Sequence, residues 1–97
     1  MKILIHAPSA NSLARARVEA GRLVKLPIEG AVRIVATLDG AISAVQKPDP
    51  STDPLLILCG DSVAAADLVN PPGVEIVPNG TEHIAKLQRK GWAYVHG

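Results

Sequence analysis

A chain of 97 residues, 47% hydrophobic and with a formal net charge of +1, is long and apolar enough for one domain with its own core, which excludes a disordered chain. Charges of both signs are mixed along it, so it offers no basic footprint for nucleic acid, and no apolar run approaches the length of a membrane span. The single cysteine leaves no internal disulfide to form, and Met1 to His6 is too short and too quickly polar for a signal peptide, so the expected location is cytoplasmic.

Aromatic residues are scarce: there is no Phe, and Trp92 and Tyr94 are the only two. The core must therefore be Val, Ile, Leu and Ala, the usual filling of a parallel sheet between helices. Lys2 to His6 reads as a first short strand with a polar residue at its end. Ala7 to Ser12 is a loop rich in capping residues, and the helix after it places Leu13, Ala16, Ala20 and Leu23 on one face. Arg15, Glu19 and Arg22 lie on the other face, with Arg15 and Glu19 as an i,i+4 pair. Gly21 weakens this helix and Pro27 ends it.

Ala31 to Thr37, rich in β-branched residues, is the second strand. Asp39-Gly40 turns the chain into a short helical piece, Ala41 to Gln46. Lys47 to Pro54 holds three prolines in eight residues and reads as an extended surface loop. Leu55 to Cys59 is a continuous apolar run, which predicts a strand buried on both faces. The Asp61-Ser62 pair reads as the N-cap of a helix over Ser62 to Leu68. Asn70-Pro71-Pro72-Gly73 stops that helix, and Val74 to Val77 is a fourth strand.

Asn79, with Glu82 three residues on, has capping-box spacing. The helix it opens takes its apolar side from Ile84, Ala85 and Leu87. Lys86, Arg89 and Lys90 crowd its C-terminal half, where they complement the helix dipole, and Gly91 is its C′ residue. Trp92 to Val95 is the last strand, and His96 lies in a terminus expected to fray. The alternation β-α-β-α-β-α-β-α-β predicts a parallel sheet with helices on both faces, in one domain over residues 1–97.

In such a fold the C-terminal ends of the strands gather on one edge, where ligands bind. Here that edge would bring together His6, Asp39, Cys59, Asn79 and His96. A thiol at a helix N-terminus has a lowered pKa, a nearby imidazole would add to this, and thiolate is the form that attacks or carries sulfur. Cysteine is also among the most often buried residues, so the local sequence leaves a functional and a packing role for Cys59 both open. A lone strand-end histidine such as His6 more often satisfies a local hydrogen bond than it serves chemistry, and His83, on a solvated helix, is given no role. No metal-ligand spacing, G-x-G-x-x-G or P-loop is present, so neither metal nor cofactor is expected. Asp61 is better explained as a cap than as half of a carboxylate pair with Asp39, and Arg15, Arg17 and Arg22 as a solvated helix face.

The string Cys59-Gly60-Asp61-Ser62, then Pro72-Gly73-Val74, Val77-Pro78-Asn79-Gly80, Leu87-Gln88 and Gly91-Trp92-Ala93-Tyr94, resembles the DsrE/DsrF-like family of small α/β proteins linked to intracellular sulfur oxidation and sulfur relay. Val32-Arg33-Ile34-Val35-Ala36 with Asp39-Gly40 adds to the likeness, which spans Ala31 to His96. The resemblance implies a flavodoxin-like or Rossmann-like three-layer α/β/α sandwich on a five-stranded, mostly parallel sheet, assembled as a dimer, trimer or hexamer. It also implies that Cys59 accepts and passes on a persulfide sulfur. Relatives usually carry a full helix before the cysteine strand, where this chain has the Lys47 to Pro54 loop. One sheet face is therefore expected to be left for a partner subunit to cover.

The leading expectation is thus a sulfur carrier exchanging with donor and acceptor proteins, with Cys59 accepting sulfur and His6 and the helix N-terminus at Ser62 stabilising its thiolate. Gly60, Asp61, Ser62, Asp39 and Asn79 are the residues expected to bind there. A different class of reading makes the chain a homo-oligomeric binding or scaffold domain in which Cys59 is packing. A small-molecule enzyme using the strand-end cleft has no motif behind it.

Overall fold

The computed structural model describes residues 1–26 and 31–97, so the expected helix stop at Pro27 lies outside the described residues. Five strands, β1 (Ile3–Ala7), β2 (Val32–Ala36), β3 (Leu56–Cys59), β4 (Glu75–Val77) and β5 (Ala93–His96), form one sheet in the order β4-β3-β2-β1-β5. Every pairing in it is parallel. The helices are α1 (Ala10–Leu23), α2 (Leu38–Gln46), α3 (Gly60–Ala65) and α4 (Gly80–Arg89). From β1 to β4 the strands step across the sheet in one direction. Right-handed crossovers therefore put α1, α2 and α3 on one face, while the return from β4 to β5 puts α4 on the other.

The strand period of two sorts the side chains between these layers. Ile3, Ile5, Val32, Ile34, Leu56 and Leu58 pack with Leu13, Ala16, Ala20, Ala41, Ala44 and Val63 on the first face. Leu4, Val35 and Ile57 pack with Ile84 and Leu87 under α4. The result is a flavodoxin-like three-layer α/β/α sandwich. Among the described residues no helix is long and apolar enough to cross a membrane.

Several local expectations change. The second helix begins at Leu38, because Thr37 adopts the extended N-cap conformation and its carbonyl accepts the Gly40 N–H at 2.9 Å. Asp39 and Gly40 are thus its first turn rather than a turn ahead of it. This nine-residue helix stands before the cysteine strand and packs Ala41 and Ala44 into the core, so the sheet face expected to lie open there is covered.

The third helix begins at Gly60 with Cys59 as an extended N-cap that makes no side-chain cap bond. Asp61 and Ser62 lie inside its first turn and do not cap it. It ends where Asp67 turns left-handed (φ 56°) and Leu68 N–H returns to the Val63 carbonyl. Gly91 (φ 87°) closes α4 in the same way, with Trp92 N–H bonded to the Leu87 carbonyl.

Ala85 is exposed rather than part of the apolar side of α4. Glu19 pairs with Arg22 at 3.2 Å and not with Arg15. Arg17 is not solvated: its guanidinium holds Thr52 at 2.6 Å and Asp53 at 2.9 Å. Those bonds fasten the Pro-rich loop, which ends in a 3-10 turn over Asp53–Leu55, against α1. His96 is paired in β5 beside His6 instead of fraying.

Candidate functional site

The chain leaves β3 toward α3 on one face of the sheet and leaves β4 toward α4 on the other. Where neighbouring strands part in this way, a crevice opens at their C-terminal ends. Cys59, the last residue of β3, stands there, on the wall of a cavity of about 310 Å³ shared with His6, Thr37, Leu38, Asp61, Ser62 and Asn79. Two larger clefts, of about 430 and 450 Å³, flank α1 and do not include Cys59.

Cys59 is 5% exposed, and burial is the largest single influence on its thiol, opposing ionisation. The Ser62 hydroxyl and the backbone N–H groups of Gly80, Ser62 and Asp61 together outweigh it, so the thiol lies below its ordinary value of about 9. Two glycines permit this convergence. A Cβ on Gly60 would stand 3.0 Å from the Val77 carbonyl oxygen, and one on Gly80 would stand 3.0 Å from Cys59 Cβ and 3.5 Å from its Sγ. Ser62 Oγ accepts the Leu38 N–H at 2.8 Å, which leaves its own proton for the sulfur. Leu38 is held left-handed (φ 50°) with its side chain 65% exposed at the cavity rim. That conformation is costly for a branched residue.

His6 shares the cavity, but both of its ring nitrogens are engaged elsewhere. Nδ1 meets Tyr94 Oη at 2.8 Å and Nε2 meets Thr37 Oγ1 at 2.9 Å. Its pKa is lowered, first by burial and then by His96, whose ring centre is 6.0 Å away. A neutral imidazole brings no positive charge to the thiolate, so the partners of Cys59 are backbone N–H groups and Ser62 rather than His6. Tyr94, His6 and Thr37 instead form a hydrogen-bonded chain across β5, β1 and the end of β2.

Asp61 is exposed and linked to the next loop. Its N–H donates to the Pro78 carbonyl at 3.0 Å, and Asn79 Nδ2 donates to its Oδ2 at 3.1 Å. Asn79 also accepts the Glu82 N–H at 3.0 Å, which caps α4 as expected. The fold therefore brings together His6, Cys59, Gly60, Asp61, Ser62 and Asn79. Asp39 is outside the cavity: it lines a neighbouring pocket with Ile42 and Ala66 that adjoins the cavity through Leu38, Ser62 and Ala65. Thr37, Leu38, Gly80 and Tyr94 join the site although none was expected there, Gly80 and Tyr94 having entered only as parts of the family-like strings. Of the other two, Thr37, a polar residue closing an apolar strand, carried a local signal.

The described residues that line the cavity include no lysine or arginine, and its one carboxylate is that of Asp61. Among the described residues no group of three or more His, Cys, Asp or Glu side chains could hold a metal ion. What the arrangement offers chemically is a thiol biased toward thiolate at one wall of a small, mostly apolar space.

No protein-family model matches the chain, and neither does any curated protein sequence. Among solved structures it is similar to the protein of unknown function MTH1491 from Methanobacterium thermoautotrophicum, with a TM-score of 0.73 at 18% identity, over 99% of this chain and 98% of that one. At that identity the likeness is one of fold alone.

Proposed function

We propose that this chain is a DsrE-like sulfur carrier in which Cys59 holds sulfane sulfur as a persulfide between a donor and an acceptor protein. The observation that carries the reading is the place of Cys59 at the end of β3, on the wall of the strand-end cavity and against the first turn of α4, where neighbouring N–H groups and Ser62 hold its thiol below the ordinary value. The thiolate attacks the outer sulfur of a donor persulfide, R–S–SH. The new bond to Cys59 Sγ forms as the donor's S–S bond breaks, and the electron pair leaves with the donor's inner sulfur as R–S⁻. Cys59 then carries –S–SH, and no oxidant or reductant is consumed.

Intact-mass measurement after incubation with a persulfide donor tests this. A gain of one sulfur that disappears in Cys59→Ser is expected; no gain, or a gain that survives the substitution, sinks the reading. The single cysteine suits the reducing cytoplasm. Assembly as a homo-oligomer is supported by Tyr94 and Val95 at the sheet edge and Val18 on α1, which are 42%, 42% and 54% exposed. A monomer by sedimentation would remove that part of the proposal.

The 5% exposure of Cys59 favours one competing reading, a non-catalytic scaffold domain with Cys59 as packing. It predicts a thiol that resists alkylation in the folded protein and a Cys59→Ala variant that assembles unchanged.

A further inference from the structure

We propose that Asn79 and Asp61 clamp together the two strand-to-helix junctions that surround the Cys59 sulfur, and that both are positioning residues for the thiol. The proposal rests on the reading of Cys59 as an activated thiol. The β3–α3 junction, Cys59 to Ser62, and the β4–α4 junction, Val77 to Gly80, enclose this sulfur, and a Cβ on Gly80 would stand only 3.5 Å from it. The groups that favour its thiolate come from these two segments. They meet on the sheet side through the Cys59–Val77 register of β3 and β4. On the solvent side two bonds join them, both ending on Asp61: its N–H to the Pro78 carbonyl at 3.0 Å, and its carboxylate to Asn79 Nδ2 at 3.1 Å.

Residue type argues that the second bond is more than a cap. Asn, Asp and Ser all cap a helix well, and Asn79 Oδ1 does so through the Glu82 N–H. Of these types, only Asn has an amide that accepts at one end while donating to a carboxylate at the other. The partners fix its orientation, since a reversed amide would set its oxygen against Asp61 and its nitrogen against a backbone N–H. Gly80, next in the chain, brings its N–H to Cys59. The link from Asn79 to Asp61 thus holds that donor and the Ser62 groups, one residue past Asp61, in one frame. The ionisable side chains lining the cavity are His6 of β1 and Asp61 of α3; Thr37 and Leu38, from the β2–α2 junction, and Thr81, from α4, do not titrate.

The test follows thiolate formation in the full chain by its ultraviolet absorbance and by the pH dependence of iodoacetamide alkylation, with folding checked by circular dichroism. Asn79→Ser keeps a cap but loses the long amide donor, and Asp61→Ala loses the acceptor. Each is expected to raise the midpoint of thiolate formation by about half a pH unit, which cuts the thiolate fraction about threefold at pH values well below the midpoint. Removing a carboxylate by charge alone would shift the midpoint the other way, so the sign in Asp61→Ala is decisive. Asp61→Asn, which can still accept from Asn79, is expected not to raise it. The double variant is expected to shift no further than the larger single shift, because both remove one bond.

A lowered or unchanged midpoint in Asp61→Ala, or additive shifts in the double variant, overturns the clamp. An ordinary midpoint in the wild type overturns the activated thiol and the clamp with it. A lowered midpoint without sulfur loading overturns only the carrier.

Discussion

Gly80 lies so close to Cys59 that a methyl group on its α-carbon would stand 3.0 Å from the cysteine Cβ and 2.5 Å from Thr37 Cγ2. The first turn of α4 is thereby pressed onto the end of β3, where the Gly80 N–H is among the groups that lower the Cys59 thiol. Gly80→Ala would gain a little helix propensity but force these three residues apart. The expected outcome is a net loss of about 1–3 kcal/mol in denaturant unfolding, with the thiolate absorbance midpoint moving up as the N–H withdraws. Unchanged stability and an unchanged midpoint would mean that the contact is slack.

The lowered Cys59 thiol also couples folding to pH. For an acid whose folded pKa lies below its unfolded one, the unfolded state binds more protons between the two, so stability rises with pH there. The contribution is complete above the ordinary value of about 9 and is lost as pH falls through the lower folded value. Unfolding free energy measured from neutral to mildly alkaline pH is expected to climb in the wild type relative to Cys59→Ser. Parallel curves would show that the donors do not favour the thiolate.

The layers of this fold were legible because they rest on periodicity and punctuation. Leu55 to Cys59 reads as a buried strand from its unbroken apolar run, and Asn79 and Gly91 mark the ends of α4 through their own chemistry. Contacts between distant segments were not legible. Nothing near Thr37 or Tyr94 reveals that both bond to His6, because Tyr94 reaches it diagonally across the β1–β5 pairing. The start of α3 was misplaced because Asp61 and Ser62 are typical caps. Here their polar groups bond to Asn79 and Leu38 in other segments, a preference that only tertiary structure can impose.

His6 provides a prediction on the acid side. Its folded pKa lies below the usual 6.5 because burial, and then His96, disfavour the charged ring. For a base shifted downward the unfolded state takes up the proton first, so stability falls as pH drops below 6.5 toward the folded value, and then levels. His6→Gln is expected to flatten this slope. Nuclear magnetic resonance titration should show the His6 ring protonating at lower pH than an exposed histidine. An ordinary titration would mean that the ring is better solvated, or less exposed to the charge of His96, than the structure shows.

Arg17 is the remaining test, because it ties the Pro-rich segment to the core. Its side chain is 11% exposed, and it donates to the buried Thr52, to Asp53 and, at 3.4 Å, to the Lys47 carbonyl. Arg17→Met keeps an unbranched apolar side chain but removes every donor, leaving Asp53 with the Asp49 N–H at 3.2 Å. Hydrogen bonds to charged groups at such half-buried positions contribute about 1.5–3 kcal/mol. A loss of that size is expected, with faster protease cleavage between Lys47 and Pro54 while the thiol of Cys59, on the far side of α2, titrates as before. Unchanged stability and cleavage would show that three prolines hold the loop without the arginine. A shift in the thiol would show that the loop and the site move together through α2, whose first turn carries Leu38 to Ser62.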